Sequence, residues 1–274
     1  MRTVALLGWL IAAGSSSVVH AEVLFNDGGV HVVDTRIDDF IQVRNAAGGA
    51  VTTVTFESGA FITGTDRFDD TVFVQGDSVI NVIDGRFVND VSAYQRGELN
   101  IEGGQFDDDV FATNQAIVRL SGGVIEDDLE AFGNSRIVMT GGSIGEDIEA
   151  DGGTIVISGG TFATGGIVDL DTGLGVSRGG SIQLIGSNFR LNGSAIGFGE
   201  LTAETGLLSG VLADGSAFND IPFTRIMRGN GSPGSLTLSA IPEPSHCAVL
   251  ALGGLIVVGR RRWQSQRARA SART

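Results

Sequence analysis

Phe68, Phe87, Phe106, Ile125 and Ile144 stand 19 residues apart, and Phe162 follows after 18. A single period held this long outranks any local pattern, because it means that one small unit is built repeatedly. Four further series keep the same beat. Val72, Val91, Val110, Leu129, Ile148 and Ile167 hold a spacing of 19 throughout. Ile80, Leu99, Val118 and Ile137 do the same before Ile155, as do Val82, Ile101, Leu120 and Met139 before Ile157, each series closing on a step of 18. Val74 opens a column that continues as Ala93, Ala112, Ala131 and Ala150.

Inside a unit the apolar residues alternate. Leu99 and Ile101 point one way, Asn100 and Glu102 the other, and Val110 and Ala112 flank Phe111 in the same manner. That is the two-residue period of a strand, found twice per unit. Nineteen residues cannot bury an apolar face alone. Stacked coils can, since each position then meets its copies about 4.8 Å above and below. The expected fold is all-β, a parallel β-helix or β-solenoid with coils of about 19 residues.

Composition agrees: 42 glycines, only four prolines and abundant β-branched residues suit short strands joined by tight turns. Gly104, Gly123, Gly142 and Gly160 recur at one corner, where a positive φ is expected. The flanks extend the array less regularly. "VTFESGAF" at 54–61 matches "LNIEGGQF" at 99–106, "DDFIQV" at 38–43 matches "DDTVFV" at 69–74, and the residues between 62 and 68 are placed as a loop. "SIQLIGSNFRL" at 181–191 reads as a further coil. About seven coils, roughly 34 Å, are expected over residues 22–196. Residues 197–240 lack the repeat and read as a short β-rich cap with an Asp214-Gly215 turn, covering an edge that would otherwise pair with other chains.

The two ends differ from the body. Arg2, an apolar run from Val4 to Ala13, and small residues at Val19 and Ala21 predict a secretory signal over 1–21, cut by signal peptidase after Ala21. At the other end Pro242-Glu243-Pro244 precedes an apolar run from Cys247 to Gly259 and then Arg260-Arg261-Arg262. The run is short for a membrane span, but a helix with snorkelling arginines at its end still reaches across, with the arginines on the cytoplasmic side. Residues 241–263 resemble the PEP-CTERM sorting signal of bacterial exported proteins. The resemblance implies a C-terminal hydrophobic helix, transient anchoring in the inner membrane, recognition by an exosortase-like enzyme, and delivery to the cell surface or an exopolysaccharide matrix. His246 and Cys247 stand where that signal usually has small or apolar residues. Residues 264–274 form a basic tail.

Without its ends the chain keeps all 32 acidic residues but only 11 arginines, and it has no lysine, so its charge is near −21. Such a body repels nucleic acid and anionic membranes and attracts cations. The acids are ordered. Asp69-Asp70, Asn89-Asp90, Asp108-Asp109, Asp127-Asp128 and Glu146-Asp147 fall between the phenylalanine and valine series, at a corner, with carboxylates outward. Two readings stand side by side. One is a solvated acidic ridge that discourages sideways aggregation. The other is a row of Ca²⁺ sites at Asp69, Asp70, Asp90, Asp108, Asp109, Asp127, Asp128 and Asp147, since calcium takes several carboxylate oxygens. No other cofactor is expected, and the lone Cys247 excludes an internal disulfide and a cysteine zinc cluster.

An active site is not expected. The body holds one histidine, His31, and one tyrosine, Tyr94, while Trp9 and Trp263 lie in the terminal segments. Arg86, Arg96, Arg119 and Arg136 fall at different places in the unit and read as surface residues offsetting the acids. Carboxylate pairs serve glycoside hydrolysis, but here they recur in every coil instead of marking one place. The sequence therefore reads first as an exported structural protein, second as a calcium-dependent adhesin or exopolysaccharide binder, and third as a polysaccharide lyase or hydrolase.

Overall fold

The computed structural model describes residues 22–64, 70–162, 173–225 and 233–242. The signal segment 1–21, Phe68, Asp69, Glu243, Pro244, the expected C-terminal helix and Arg260–Arg262 lie outside the described residues. Among the described residues no helix is long and apolar enough to cross a membrane.

Each coil has three parallel strands instead of the two expected. The first face stacks nine strands in order: Glu22–Phe25, Phe40–Val43, Asp70–Val74, Asp90–Ala93, Val110–Thr113, Leu129–Phe132, Ile148–Asp151, Leu174–Ser177 and part of Ala217–Arg225. The second face stacks Val30–Val33, Thr53–Phe56, Val79–Val82, Glu98–Ile101, Ile117–Leu120, Arg136–Ile144, Thr154–Phe162, Ser181–Leu191 and Ser235–Ala240. The third face is built from two-residue strands such as Arg86–Phe87, Gln105–Phe106 and Val124–Ile125. A strand of two residues is too short to show alternation, so in the sequence it reads as a corner. Nine levels make a rod about 38 Å long.

The interior is the set of ladders. Ile41, Val72, Val91, Val110, Leu129 and Ile148 on the first face are wholly buried, as are Val54, Ile80, Leu99, Val118, Ile137 and Ile155 on the second. Phe87 and Phe106 on the third lie ring on ring, centroids 4.9 Å apart and planes 11° from parallel. Each buried large side chain is worth about 1.5–3 kcal/mol. The alanine column makes room for the phenylalanines: Ala93 shares a level with Phe87, and Ala112 with Phe106, both fully buried. Setting a small residue opposite a large one suits a thin three-sided interior.

The Gly-Gly corner needs both of its glycines. The second of each pair has a positive φ, from 86° to 100° at Gly104, Gly123, Gly142 and Gly160. The first lies too close to the coil below for any side chain. A Cβ on Gly122 would meet the Glu102 carbonyl oxygen at 2.1 Å, and one on Gly141 would meet that of Ser121 at 2.4 Å.

Two ladder assignments shift. Ile62, not Phe68, stacks on Phe87, and the paired neighbour of Arg86 is Phe61. Leu174, not Ile167, stacks on Ile148. In both places the chain holds extra residues between the third-face and first-face strands, giving spacings of 25 and 26, so counting in nineteens falls short of the true partner. The C-terminal segment is more than a lid. Phe223 pairs in parallel with Leu174 and Leu236 with Ile182, so part of it forms a ninth level. The stack then ends because Thr205–Leu212 pairs antiparallel with Ala217–Arg225, and Gly199–Glu200 with Ser235–Ala240.

Candidate functional site

The corner between the third and first faces gathers the acids. Here strand pairing is interrupted and the aspartates fill the gap. The Asp128 amide donates to Asp109 Oδ1 at 3.0 Å, and the Asp147 amide to Asp128 Oδ1 at 2.7 Å. Asp90 accepts from the Asp109 amide, and Asp147 from the amide of Gly173. The aspartate carbonyls are used in the reverse sense: Val91, Val110 and Leu129 donate to the carbonyls of Asp109, Asp128 and Asp147, each at 2.9 Å. Each carboxylate thus stands in for a strand carbonyl that the corner cannot supply. A buried amide without a partner costs roughly 1–3 kcal/mol, which explains why a short acceptor recurs at every level.

The expected equivalence fails at one level. Pairing runs Asp90 to Asp70 and then Val91 to Val72, a one-residue irregularity. Thr71 therefore occupies the column position, where its hydroxyl accepts the Asn89 amide at 3.1 Å. Asp70 is 2% exposed, covered on the outer side of the first face, where it accepts hydrogen bonds from the hydroxyls of Ser92 and Tyr94. It is a buried tie between levels and not part of a solvated ridge. Asp147 is also buried, at 8%.

What remains outward is a denser cluster than a solvated ridge. Oxygens of Asp90, Asp108 and Asp109 lie within 4.8 Å of one another, and so do those of Asp109, Asp127 and Asp128. Burial, reinforced by the neighbouring carboxylates, pushes Asp90 up to about 7 and Asp109 up to about 6. Glu130 joins them: burial first, then Asp109, Asp128, Glu149 and Asp90, push it up to about 8. Glu130 and its register partner Glu149 sit on the first face beside the corner, outside the pattern of paired acids.

The ion pairs of the described arginines do not reach Asp90, Asp109 or Glu130. Arg86 pairs with Asp107 at 2.7 Å at the third-face edge of this corner, Arg96 with Asp77 at 2.5 Å between the first and second faces, and Arg119 with Glu98 at 2.6 Å on the second face. His31 bonds Asp27 at 2.8 Å and packs on Phe25 in the first level, remote in the stack from the acidic triplets.

A second feature of the first face escaped the repeat. Phe40, Phe73, Tyr94, Phe111 and Phe132 form one run of half-buried rings up its outside, with successive centroids 6.3, 5.8, 5.8 and 6.2 Å apart. From Phe73 onward they zigzag between two outward columns, while Phe40 approaches Phe73 from beside them. Phe73, Ser92 and Phe111 share one column, and Phe132 shares the other with Thr113. The alternation gives spacings of 21, 17 and 21 in the sequence, so a search at 19 passes over them. Comparison of the chain with protein-family models, curated proteins and solved structures finds no match.

Proposed function

We propose that this protein is an exported structural rod, sorted to the cell surface or extracellular matrix through its C-terminal signal, and that it is not an enzyme. The observation that supports this reading is the uniformity of the stack. The same corner chemistry recurs from Asp90 to Asp147, with one aspartate carboxylate after another in the service of a backbone amide. A repeated element whose side chains hold coils together suits a spacer or matrix component. In this reading signal peptidase removes residues 1–21, and an exosortase-like enzyme acts near Pro242-Glu243-Pro244 while Arg260–Arg262 stay cytoplasmic. The test is cell fractionation with mass spectrometry of both termini. The expected product begins at Glu22, lacks the basic tail, and lies in the surface or matrix fraction. Full-length chain in the soluble interior of the cell would overturn the reading.

A second reading is favoured by the two oxygen triplets around Asp109, which suit a hard divalent cation better than open water. In it, Ca²⁺ bound at Asp90, Asp108, Asp109, Asp127 and Asp128 stiffens the rod and makes it a calcium-dependent adhesin. Thermal melts with millimolar calcium and with chelator separate the two. An upward shift with calcium supports the second reading, and coincident melts remove it.

A further inference from the structure

The run of rings and the carboxylates occupy the same outward face. Tyr94 lies at a T-shaped angle between Phe73 and Phe111, and Phe111 at one between Tyr94 and Phe132. Phe111 is paired in register with Glu130, and Val110 with Leu129 beside the acidic corner. The ion pairs of the described arginines go to Asp38, Asp107, Asp77, Glu98, Asp151 and Glu200, none to Asp90, Asp109 or Glu130. Rings placed outside a rod whose interior is already filled do not serve the core. A row of them beside carboxylates that no described arginine pairs with forms a platform for a ligand both flat-faced and cationic.

We infer that the first face docks a linear polysaccharide bearing protonated amino groups, with its sugar rings on Phe73, Tyr94, Phe111 and Phe132 and its ammonium groups toward Asp90, Asp109 and Glu130. Sugar C–H faces pack on aromatic rings while their edges need polar partners, which this face supplies in adjacent columns. Ammonium groups gain from both the ring faces and the carboxylates. A platform repeating at each level also suits a polymer with a short repeat better than a peptide of irregular sequence. The inference adds a ligand to the surface-rod reading and rests on it only for the setting in which polymer and protein meet.

The test uses the full chain and three probes: glucosamine oligomers free of acetyl groups, the fully N-acetylated oligomers of equal length, and polylysine. Two variants copy what neighbouring levels already hold: Phe111→Ser after Ser92, and Phe132→Thr after Thr113. Their melting curves are checked against the parent, and Glu130→Gln is a third, milder variant. The expected result is binding of the deacetylated oligomer at least tenfold tighter than the acetylated one. The double ring variant should lose that binding about tenfold or more, and Glu130→Gln a smaller part of it. Equal binding of the two oligomers overturns the inference, as does unchanged affinity in a folded ring variant. Polylysine bound as tightly as the glycan, with no dependence on the rings, also overturns it and leaves only general attraction of polycations. Fractionation decides the surface-rod reading separately, so either can fail alone.

Discussion

Replacing Asp109 by Asn should stabilise the protein, and the gain should depend on pH in one direction. Asp109 lies among Asp90, Asp108, Asp127, Asp128 and Glu130, and its carboxyl is pushed up from 3.8 to about 6. A carboxyl whose folded value lies above its unfolded value favours folding while protonated. That contribution is complete below about pH 4 and is lost as pH rises through about 6. The span converts to about 3 kcal/mol as an upper bound. The group is only half-buried, so screening reduces this to roughly 1–2 kcal/mol. Asparagine keeps the oxygen that accepts the Asp128 amide at 3.0 Å, and its amide group finds acceptors in the surrounding carboxylates. Urea unfolding in chelator should therefore show Asp109→Asn about 1–2 kcal/mol more stable at pH 8 and nearly equal to the parent at pH 4. A loss of 1 kcal/mol at pH 8, or the same gain at both pH values, would refute the argument that charge crowding dominates this corner.

The parent itself should lose stability between about pH 4 and 8, because Asp90 and Glu130 titrate in the same sense as Asp109, up to about 7 and about 8; unfolding midpoints across that range check it. Phe106→Ala removes a ring stacked on Phe87 and should cost about 3–5 kcal/mol by chemical denaturation. Gly122→Ala forces a Cβ to 2.1 Å from the Glu102 carbonyl and should cost about 3 kcal/mol or prevent folding, visible as lost expression of soluble protein. Gln95 holds a positive φ of 59° at the corner where Gly76 and Gly133 have the same sign, so Gln95→Gly should raise stability by about 1 kcal/mol in the same assay.

How much of this was legible follows from what repeats and at what spacing. The core was legible because an inward residue must match its copy one coil away, and Leu99, Val118 and Ile137 sit in register as their spacing of 19 implies. Where residues were inserted, at 62–70 and 162–174, the ladder passed to Ile62 and Leu174, since a corner absorbs extra length without disturbing the strands on either side. The outward face obeys a weaker rule. A ring outside the rod needs a neighbouring ring within about 6 Å, and two adjacent columns satisfy that as well as one. Phe73, Tyr94, Phe111 and Phe132 therefore make a continuous surface feature while breaking the period that reveals everything inside. The aspartates lie between these cases. Their recurrence was visible, but its cause is a hydrogen bond from each coil's amide to the carboxylate below, which no spacing displays. That bond also separates two demands on the same residues: the amide asks for an oxygen, which Thr71 supplies without charge, whereas the negative charge at Asp90 and Asp109 is surplus to the fold. Charge kept where a neutral acceptor would hold the corner better is a cost to stability, and it is the strongest physical reason to look for a cation, calcium or polymeric amine, on this face.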